Sequence, residues 1–490
     1  MEEIKDVEIR MYRAGTGDCF VLKFFSDTSE IFTMMIDGGT WSGTKKELQV
    51  IVKDLKNYVG NKIDLLVITH EHKDHVYLFS ACEELFTNDF DVDEVWMAWS
   101  EDDQDETVKE WKEKYGQKKR ALALASERID KGIKNQNVIS QLKNGFQGEK
   151  VVNRFKNFAS SLNDFKALHF SVDKKKKYKG GLKGMEVVKN QISKDNIRYC
   201  KPGNIEKISK LEGVNFYILG PPLSIDAIKD HGRTAEEGDL YDHNEILRRS
   251  DSFSAAITNT NSSDNISPFD PSYYSNRTSI KKYYNDETEA WRTIDLDWLV
   301  SGAGNLALRV NSGINNLSLA MAIEFEDSKK VMLFPGDAEF GSWKSWHQID
   351  WEETGAKKKH LTEDLLNRTV FYKVAHHLSH NGTAKEKGLK MMKSSDLVAM
   401  ATLDFKKISS NWKSTMPNRG ILKDLINQTR GRLIIMNEED LFYDFDEKVP
   451  ISERIKDERK RLTDKEKSKF NASYKEHKLY KQYKLDVTKN

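Results

Sequence analysis

The chain contains, at residues 63–75, the stretch Ile63-Asp64-Leu65-Leu66-Val67-Ile68-Thr69-His70-Glu71-His72-Lys73-Asp74-His75. Its first six residues form a short apolar run that is typical of a buried β-strand. Three histidines and an aspartate follow the run closely, and imidazole nitrogen together with carboxylate oxygen is a ligand set that zinc and neighbouring transition metals accept. The stretch therefore predicts a strand that ends in a metal site, with ligands His70, His72, Asp74 and His75.

A second histidine cluster follows the apolar run at 370–374 and reads Ala375-His376-His377-Leu378-Ser379-His380. The two windows together hold six of the 12 histidines in the chain. Asp337 also follows an apolar run, at residues 330–334. Ligands at strand ends are rigidly placed, so we predict one centre of two ions about 3.5–4 Å apart. His70 and His72 hold the first ion, Asp74, His75 and His376 hold the second, and Asp337 bridges them.

Composition places few limits on function. The 490 residues include 78 Lys plus Arg and 77 Asp plus Glu, so the chain has no overall basic footprint for nucleic acid. Its three cysteines are widely spaced, which favours a reducing compartment. The amino-terminal residues lack the pattern of a signal peptide, and no apolar run approaches the roughly 20 residues that span a membrane. We expect a cytoplasmic protein that does not act in a membrane.

Apolar periodicity predicts an alternation of strands and helices, which is the pattern of an α/β protein. Predicted strands lie at residues 7–11, 19–24, 31–36, 63–68, 93–99, 214–219, 306–310, 317–323, 330–334, 370–374 and 432–436. Predicted helices lie at residues 44–59, 76–86 and 420–428. We expect one hydrolase domain over residues 1–450, with insertions at about 101–212 and 223–300, and a charged, Lys-rich helical extension over residues 451–490.

Six motifs resemble, in the same order, those of metallo-β-lactamase-fold hydrolases: Gly15–Asp18, Ile36–Gly39, Thr69–His75, Asn315–Ser318, Phe334–Glu339 and Lys373–Ser379. The branch that the chain resembles most is related to the soluble domain of the ComEC DNA-uptake channel. The resemblance implies an αββα sandwich, with helices outside two sheets and two divalent metal ions at one sheet edge. Zinc is the first expectation for these ions, and manganese is the alternative.

The chain departs from that pattern at three places. Many members of the superfamily carry a histidine about 20 residues before the Gly-Asp turn, where this chain has no histidine over residues 312–318. The first ion could then bind weakly, accept manganese as readily as zinc, or recruit His169, His231 or His243. Leu378 stands where the branch has glycine, and Met416 precedes Pro417 where relatives often have histidine.

The resemblance implies hydrolysis by a metal-activated water, with phosphodiesters of DNA, RNA or nucleotides as the leading substrates. Asp74 could orient the water as well as bind metal. His377 or His380 could protonate the leaving group or hold a phosphate, while His377 could equally support the centre without reacting. Asp37 is expected to orient His70 or His72.

Two interpretations are open for each group of residues that could contact a substrate. Lys174–Lys177, Arg248-Arg249, Lys281-Lys282 and the Lys-rich extension could contact phosphates, or they could be solvated surface. Trp291, Trp298, Trp343 and Trp346 could stack on bases, or they could pack insertions onto the core. Two other functions stay open. One is hydrolysis of carboxylic esters or thioesters, and the other is a partner-gated effector role, for instance in bacterial defence, with a protein partner bound through the insertions or the extension.

Overall fold

A computed structural model describes residues 3–27, 29–112, 118, 122, 125, 181–193, 195–230, 310, 313–351, 360–408, 412–414, 416–444 and 448–489. The chain divides into two compact units. The first comprises Met1–Asp103, Gly180–His243 and Ser312–Asn490, and the second comprises Gln104–Lys179 and Asn244–Asn311. The first unit contains all the elements described below. In the second unit, residues 106–112 are helical.

The strands are β1 Asp6–Tyr12, β2 Phe20–Phe25, β3 Glu30–Ile36, β4 Lys62–Ile68, β5 Asp91–Ala98, β6 Ile197–Cys200, β7 Ile205–Lys207, β8 Val214–Gly220, β9 Ala320–Phe325, β10 Val331–Phe334, β11 Thr369–Lys373, β12 Val398–Asp404, β13 Leu433–Asn437, β14 Phe442–Asp444, β15 Val449–Pro450, β16 Tyr474–Glu476 and β17 Tyr480–Asp486. The helices are α1 Lys45–Val59, α2 Lys73–Ala81, α3 Glu83–Asp89, α4 Gly181–Val187, α5 Ile225–Ile228, α6 Phe340–Trp346, α7 Leu361–Asn367, α8 Arg419–Gln428, α9 Ile451–Arg459 and α10 Asp464–Ser473. The strand expected at 306–310 falls outside the described residues except for Val310, which is helical.

Two mixed sheets form the body of the first unit. The larger has the order β16-β17-β1-β2-β3-β4-β5-β6, and the smaller has the order β13-β12-β11-β10-β9-β8-β7. In each sheet one half is parallel and the other half is antiparallel. The α/β class predicted from the sequence is confirmed.

Three apolar clusters pack the sheets. One joins side chains of both sheets, such as Phe20 and Met34 from the larger and Phe334 and Met400 from the smaller. A second packs α1 and α2 against the larger sheet, and a third packs α6 to α8 against the smaller one. Each sheet is therefore buried on both faces, which explains the nearly continuous apolar run of β4.

Helix α1 shows how local sequence fixes an element. Thr44 and Glu47 form a reciprocal capping box at its amino end. The helix buries the apolar face that the spacing predicts, at Leu48, Ile51, Val52, Leu55 and Val59.

The carboxy-terminal segment differs from the expected helical extension. Residues 451–473 do contain α9 and α10, but the chain then forms β16 and β17. Strand β17 runs antiparallel to β1 with pairs from Asp6 with Asp486 to Tyr12 with Tyr480, so it extends the larger sheet. Tyr483 and Leu485 are buried at alternating positions of this strand. The surrounding lysines hide this two-residue period in the sequence.

Two further strands lie inside the first expected insertion, at about 101–212. Strand β6 is the edge of the larger sheet and β7 is the edge of the smaller one. Among the described residues, no helix combines the length and apolarity that crossing a membrane requires.

Candidate metal centre

Polar side chains converge where several strands end at one edge of the sheets. Strand β3 leads into Asp37, β4 into Thr69 and His70, β10 into Asp337, and β11 into the turn of His376 and His377. Carboxyl ends of parallel strands are the usual place for sites in open α/β sheets. Asp18 joins them from the other direction, because β2 is antiparallel to β3 and Phe20 pairs with Ile36.

Asp337 and His377 form, together with Asp74 and His75 of helix α2, a group that could hold a metal ion. One ligand atom of each lies within 4.8 Å of the others, and all four residues are buried. His75 Nε2 is 3.1 Å from Asp337 Oδ2, and His377 Nε2 is 3.2 Å from Asp74 Oδ2 and 3.4 Å from Asp337 Oδ2. Two imidazoles and two carboxylates thus point at one small volume.

Asp74 also carries a buried atom that suits a cation. Its Oδ1 is shielded from solvent and has no hydrogen-bond partner among the described residues. A buried carboxylate oxygen without a partner is costly, and a bound metal ion is a common resolution. The donor set and this oxygen both fit a divalent ion.

A second group, Asp18, Asp37 and His75, lies behind the first. His75 Nδ1 is 2.8 Å from Asp37 Oδ2 and 3.7 Å from Asp18 Oδ2. Thr69 donates two hydrogen bonds to the Asp37 carboxylate, from its backbone N–H at 2.8 Å and from its hydroxyl at 2.7 Å. A carboxylate on the far nitrogen of a ligating histidine fixes the ring and raises its basicity. Asp37 therefore orients His75 directly, and its link to His70 runs through the Thr69 hydroxyl, which lies 3.1 Å from His70 Nδ1.

Lys373 is a buried cation that the sequence analysis did not assign to the site. Its ammonium contacts the Asp18 carboxylate, donates to the Gly336 carbonyl at 2.9 Å and lies 3.4 Å from Asp337 Oδ1. Asp18 also accepts a 2.6 Å hydrogen bond from Thr402. Asp18 and Lys373 lie in two of the recognised motifs, but only the tertiary structure brings their side chains together.

The pKa values of the imidazoles follow from this charge arrangement. Burial on its own lowers the pKa of His75, but the carboxylates of Asp337, Asp37 and Asp18 outweigh it and raise that pKa well above the ordinary value. Burial also opposes protonation of His377, yet Asp337 and Asp74 raise its pKa to about 9. Both rings hold protons near neutral pH, and a divalent ion would take the place of those protons.

The carboxylates show the complementary shifts. Burial tends to raise the pKa of Asp74, but His377 and His75 hold it below its ordinary value. His377, His75 and Lys373 likewise outweigh burial and hold the pKa of Asp337 well below its ordinary value. Both groups are therefore ionised, as metal ligands must be.

His70 and His72 adjoin the four-residue group without belonging to it. His70 Nε2 lies 2.9 Å from His72 Nδ1, so the two rings hydrogen-bond to each other. Burial, reinforced by His75, lowers the pKa of His70, and burial lowers the pKa of His72 to about 3. Both rings are neutral. The ring centroids of His70 and His75 are 4.1 Å apart. The pair of His70 and His72 therefore borders the four-residue group.

Ser318 lies in the region where the resemblance expects a third imidazole. Its hydroxyl is 3.3 Å from His70 Nδ1 and accepts a 3.0 Å hydrogen bond from the Asp337 backbone N–H. A serine thus links His70 to the Asp337 turn. The alternatives His169, His231 and His243 fall outside the described residues.

His377, rather than the predicted His376, joins the four-residue group. His376, His377 and Leu378 all have positive φ, at 46°, 50° and 69°. This turn separates the neighbouring imidazoles, whose centroids are 6.2 Å apart. His376 instead lies beside Glu339, with Nδ1 3.5 Å from Oε1, and beside Asn315, with Nε2 3.4 Å from Nδ2. His380, a predicted catalytic residue, is half-buried on the following loop, and its Nδ1 is 3.5 Å from Ser379 Oγ.

Leu378 adopts a left-handed conformation in which glycine is favoured. The left-handed conformation explains why the branch that the chain resembles has glycine at this position. The leucine side chain is fully buried in the apolar cluster of the smaller sheet, and that burial offsets the backbone strain.

Two of the tryptophans considered for base stacking are in the core. Trp343 and Trp346 are fully buried on α6, so neither ring can stack on a base. Their alternative reading as packing residues is correct. Trp291, Trp298, Lys174–Lys177, Arg248-Arg249 and Lys281-Lys282 fall outside the described residues.

Comparison with known proteins gives no relative: no protein-family model, curated protein or solved structure matches this chain.

Proposed function

We propose that this protein is a metal-dependent hydrolase of the metallo-β-lactamase fold that cleaves phosphodiesters. The observation that carries the proposal is the buried group of Asp74, His75, Asp337 and His377 at the carboxyl ends of strands. The order of the six motifs supports it, as does the packing of helices on the outer faces of two sheets. Nitrogen and oxygen donors suit zinc or manganese. The neighbouring His70 and His72 would hold a second ion.

Each residue has a physical task in this proposal. Asp74, His75, Asp337 and His377 would hold the ion, which supplies a Lewis acid that polarises the substrate and lowers the pKa of water. Asp37 fixes the ring of His75 through Nδ1. Lys373 balances the charge of Asp18 and Asp337.

The test compares purified wild-type protein with an Asp337→Asn variant, each with Zn²⁺ or Mn²⁺. Substrates are bis-p-nitrophenyl phosphate, linear and circular DNA, RNA and a thioester, and bound metal is measured by elemental analysis. We expect wild-type cleavage of phosphodiesters and a loss of at least about 100-fold in the variant, since a Lewis acid contributes several kcal/mol. Asp464→Asn, at a fully exposed aspartate on α10, is the matched control.

Two results would contradict the proposal. Cleavage of the thioester alone would place the protein among carboxylic-ester or thioester hydrolases. Full metal loading without turnover of any substrate would replace it with the partner-gated effector role.

A further inference from the structure

Trp41 and Trp412 form an aromatic pair that is half-buried. Their ring centroids are 4.6 Å apart with an interplanar angle of 42°. The other tryptophans that the structure describes in the first unit are buried: Trp96, Trp99, Trp343, Trp346 and Trp351. The pair therefore presents aromatic surface to solvent where the remaining tryptophans of that unit do not.

The buried pair Trp343 and Trp346 is an internal reference for this geometry. Its centroids are 4.3 Å apart and its rings are inclined by 43°, so the two pairs are nearly alike. The α6 pair is fully buried and completes the core. Trp41 and Trp412 are only partly buried, and Trp412 packs against the edge of the same apolar cluster.

Trp41 is tied to the segment that carries Asp74. Its carbonyl accepts a 3.0 Å hydrogen bond from Lys73 Nζ, and Lys73 precedes Asp74 in the chain. Its backbone N–H donates to the Thr16 carbonyl at 2.7 Å, two residues before Asp18.

Trp412 is tied to the segment that carries His377. Its carbonyl accepts from the Met416 N–H at 2.9 Å, and the Asn418 N–H donates to the Leu378 carbonyl at 2.8 Å. Both tryptophans thus lie on loops that are hydrogen-bonded to the loops of the metal centre.

Several lysines lie in the segments next to the pair, although Lys406 pairs with Glu439 at 2.6 Å and Lys407 lies 4.0 Å from Asp404. Lys413 follows Trp412, is exposed, and lies with Nζ 5.0 Å from the centroid of the Phe405 ring. Lys406 and Lys407 are also exposed, and Lys73 lies beneath Trp41. Partly exposed aromatic rings with lysines nearby are a combination that binds single-stranded nucleic acid, where bases stack and phosphates contact cations.

We propose that Trp41 and Trp412 form a stacking platform for an unpaired base, so that the substrate of the neighbouring centre is single-stranded nucleic acid. The identity of the substrate rests on the proposed phosphodiesterase activity, whereas binding of the base does not. A duplex keeps its bases stacked inside, so it cannot use this platform.

The test measures binding by fluorescence anisotropy, with full-length protein kept free of metal by a chelator so that no cleavage occurs. The probes are labelled eight-residue oligothymidylate or oligouridylate and an abasic strand with the same number of phosphates. We expect the wild type to bind a base-carrying strand about 10-fold more tightly than the abasic strand. Trp412→Leu should abolish this preference, whereas Trp412→Phe, which keeps a ring, should retain most of it.

Tyr443→Leu is the matched control, because Tyr443 is also a partly buried aromatic residue against the same apolar cluster as Trp412. Equal wild-type affinity for base-carrying and abasic strands would overturn the platform. An undiminished preference in Trp412→Leu would overturn it as well. Hydrolysis of bis-p-nitrophenyl phosphate, measured in parallel, is independent of bases. Its absence alongside a base preference would overturn the phosphodiesterase proposal and leave the platform standing.

Discussion

His70 and His72 belong to the same short stretch as Asp74 and His75, yet the two pairs lie in opposite electrostatic surroundings. The first pair is neutral, bonded ring to ring, and has a lowered pKa. The second pair faces Asp337 and His377, and the carboxylates of Asp337, Asp37 and Asp18 outweigh burial and raise the pKa of His75. Sequence proximity therefore did not make these four residues equivalent. The two pairs differ because only Asp74 and His75 face the residues that follow strands β10 and β11, namely Asp337 and His377.

Lys373 offers the largest test of this difference, because it contacts only the carboxylate side, through Asp18 and Asp337. Lys373→Met would leave these buried carboxylates without their cation. We expect the free energy of unfolding of metal-free protein to fall by about 3–5 kcal/mol. Urea denaturation in the presence of a chelator measures it, with the exposed Lys460→Met as control. A loss below about 1 kcal/mol would mean that the carboxylates do not depend on Lys373.

Alanine variants at one histidine of each pair compare the two pairs directly. His75→Ala removes a member of the four-residue group, and we expect Zn²⁺ affinity to fall at least about 100-fold, beyond what loss of an indirect partner causes. His70→Ala should lower the affinity for the ion at the four-residue group by only about 10-fold, because His70 adjoins that group and belongs to the proposed second site. Competition with a chromophoric chelator measures both, and the exposed His360→Ala is the control. A larger effect at His70 would reverse the assignment of the two pairs.

Asp37→Asn tests whether the carboxylate behind His75 sets its properties. The amide keeps a hydrogen-bonding oxygen but removes the charge 2.8 Å from His75 Nδ1. Such partners typically contribute 10–100-fold to metal affinity, and we expect a loss of about 10-fold. The same chelator competition measures it. Unchanged affinity would show that Asp37 acts only on the backbone of Thr69.

The last comparison is a dependence on pH with opposite signs for affinity and stability. His377 keeps a pKa of about 9 despite burial, because of Asp337 and Asp74, so metal must displace its proton below that pH. Affinity should rise by about tenfold per pH unit for each proton released between pH 7 and 9. Calorimetry in buffers of different ionisation enthalpy measures the protons.

Metal-free protein should show the reverse trend in stability. The raised pKa of His377 stabilises the fold fully below the unfolded pKa of about 6.5, and this contribution is lost as pH rises through 9. Thermal denaturation across this range measures it. Parallel slopes for affinity and stability would contradict the assignment of a protonated His377 to the centre.

Much of the fold could be predicted from local patterns of apolar residues in the sequence. Strand β4 and helix α1 appear where the apolar spacing predicted them, since one is a continuous buried run and the other an amphipathic face. The predicted helix at 76–86 is two helices, α2 and α3, that meet at Cys82. Strand β17 escaped prediction, because the charged Lys481 occupies a buried position two residues before Tyr483, so the sequence shows no clear apolar alternation.

The sequence by itself identified the stretch of candidate ligands at residues 69–75, the strand before it and Asp337 at the end of β10, because these signals are local in the chain. Only the tertiary structure decided that His377 rather than His376 faces Asp74, since three successive positive φ values turn adjacent rings apart. It alone placed Asp18 and Lys373 beside the centre, about 350 residues apart in the chain. Pairwise distances across two sheets depend on packing, and no local periodicity carries that information.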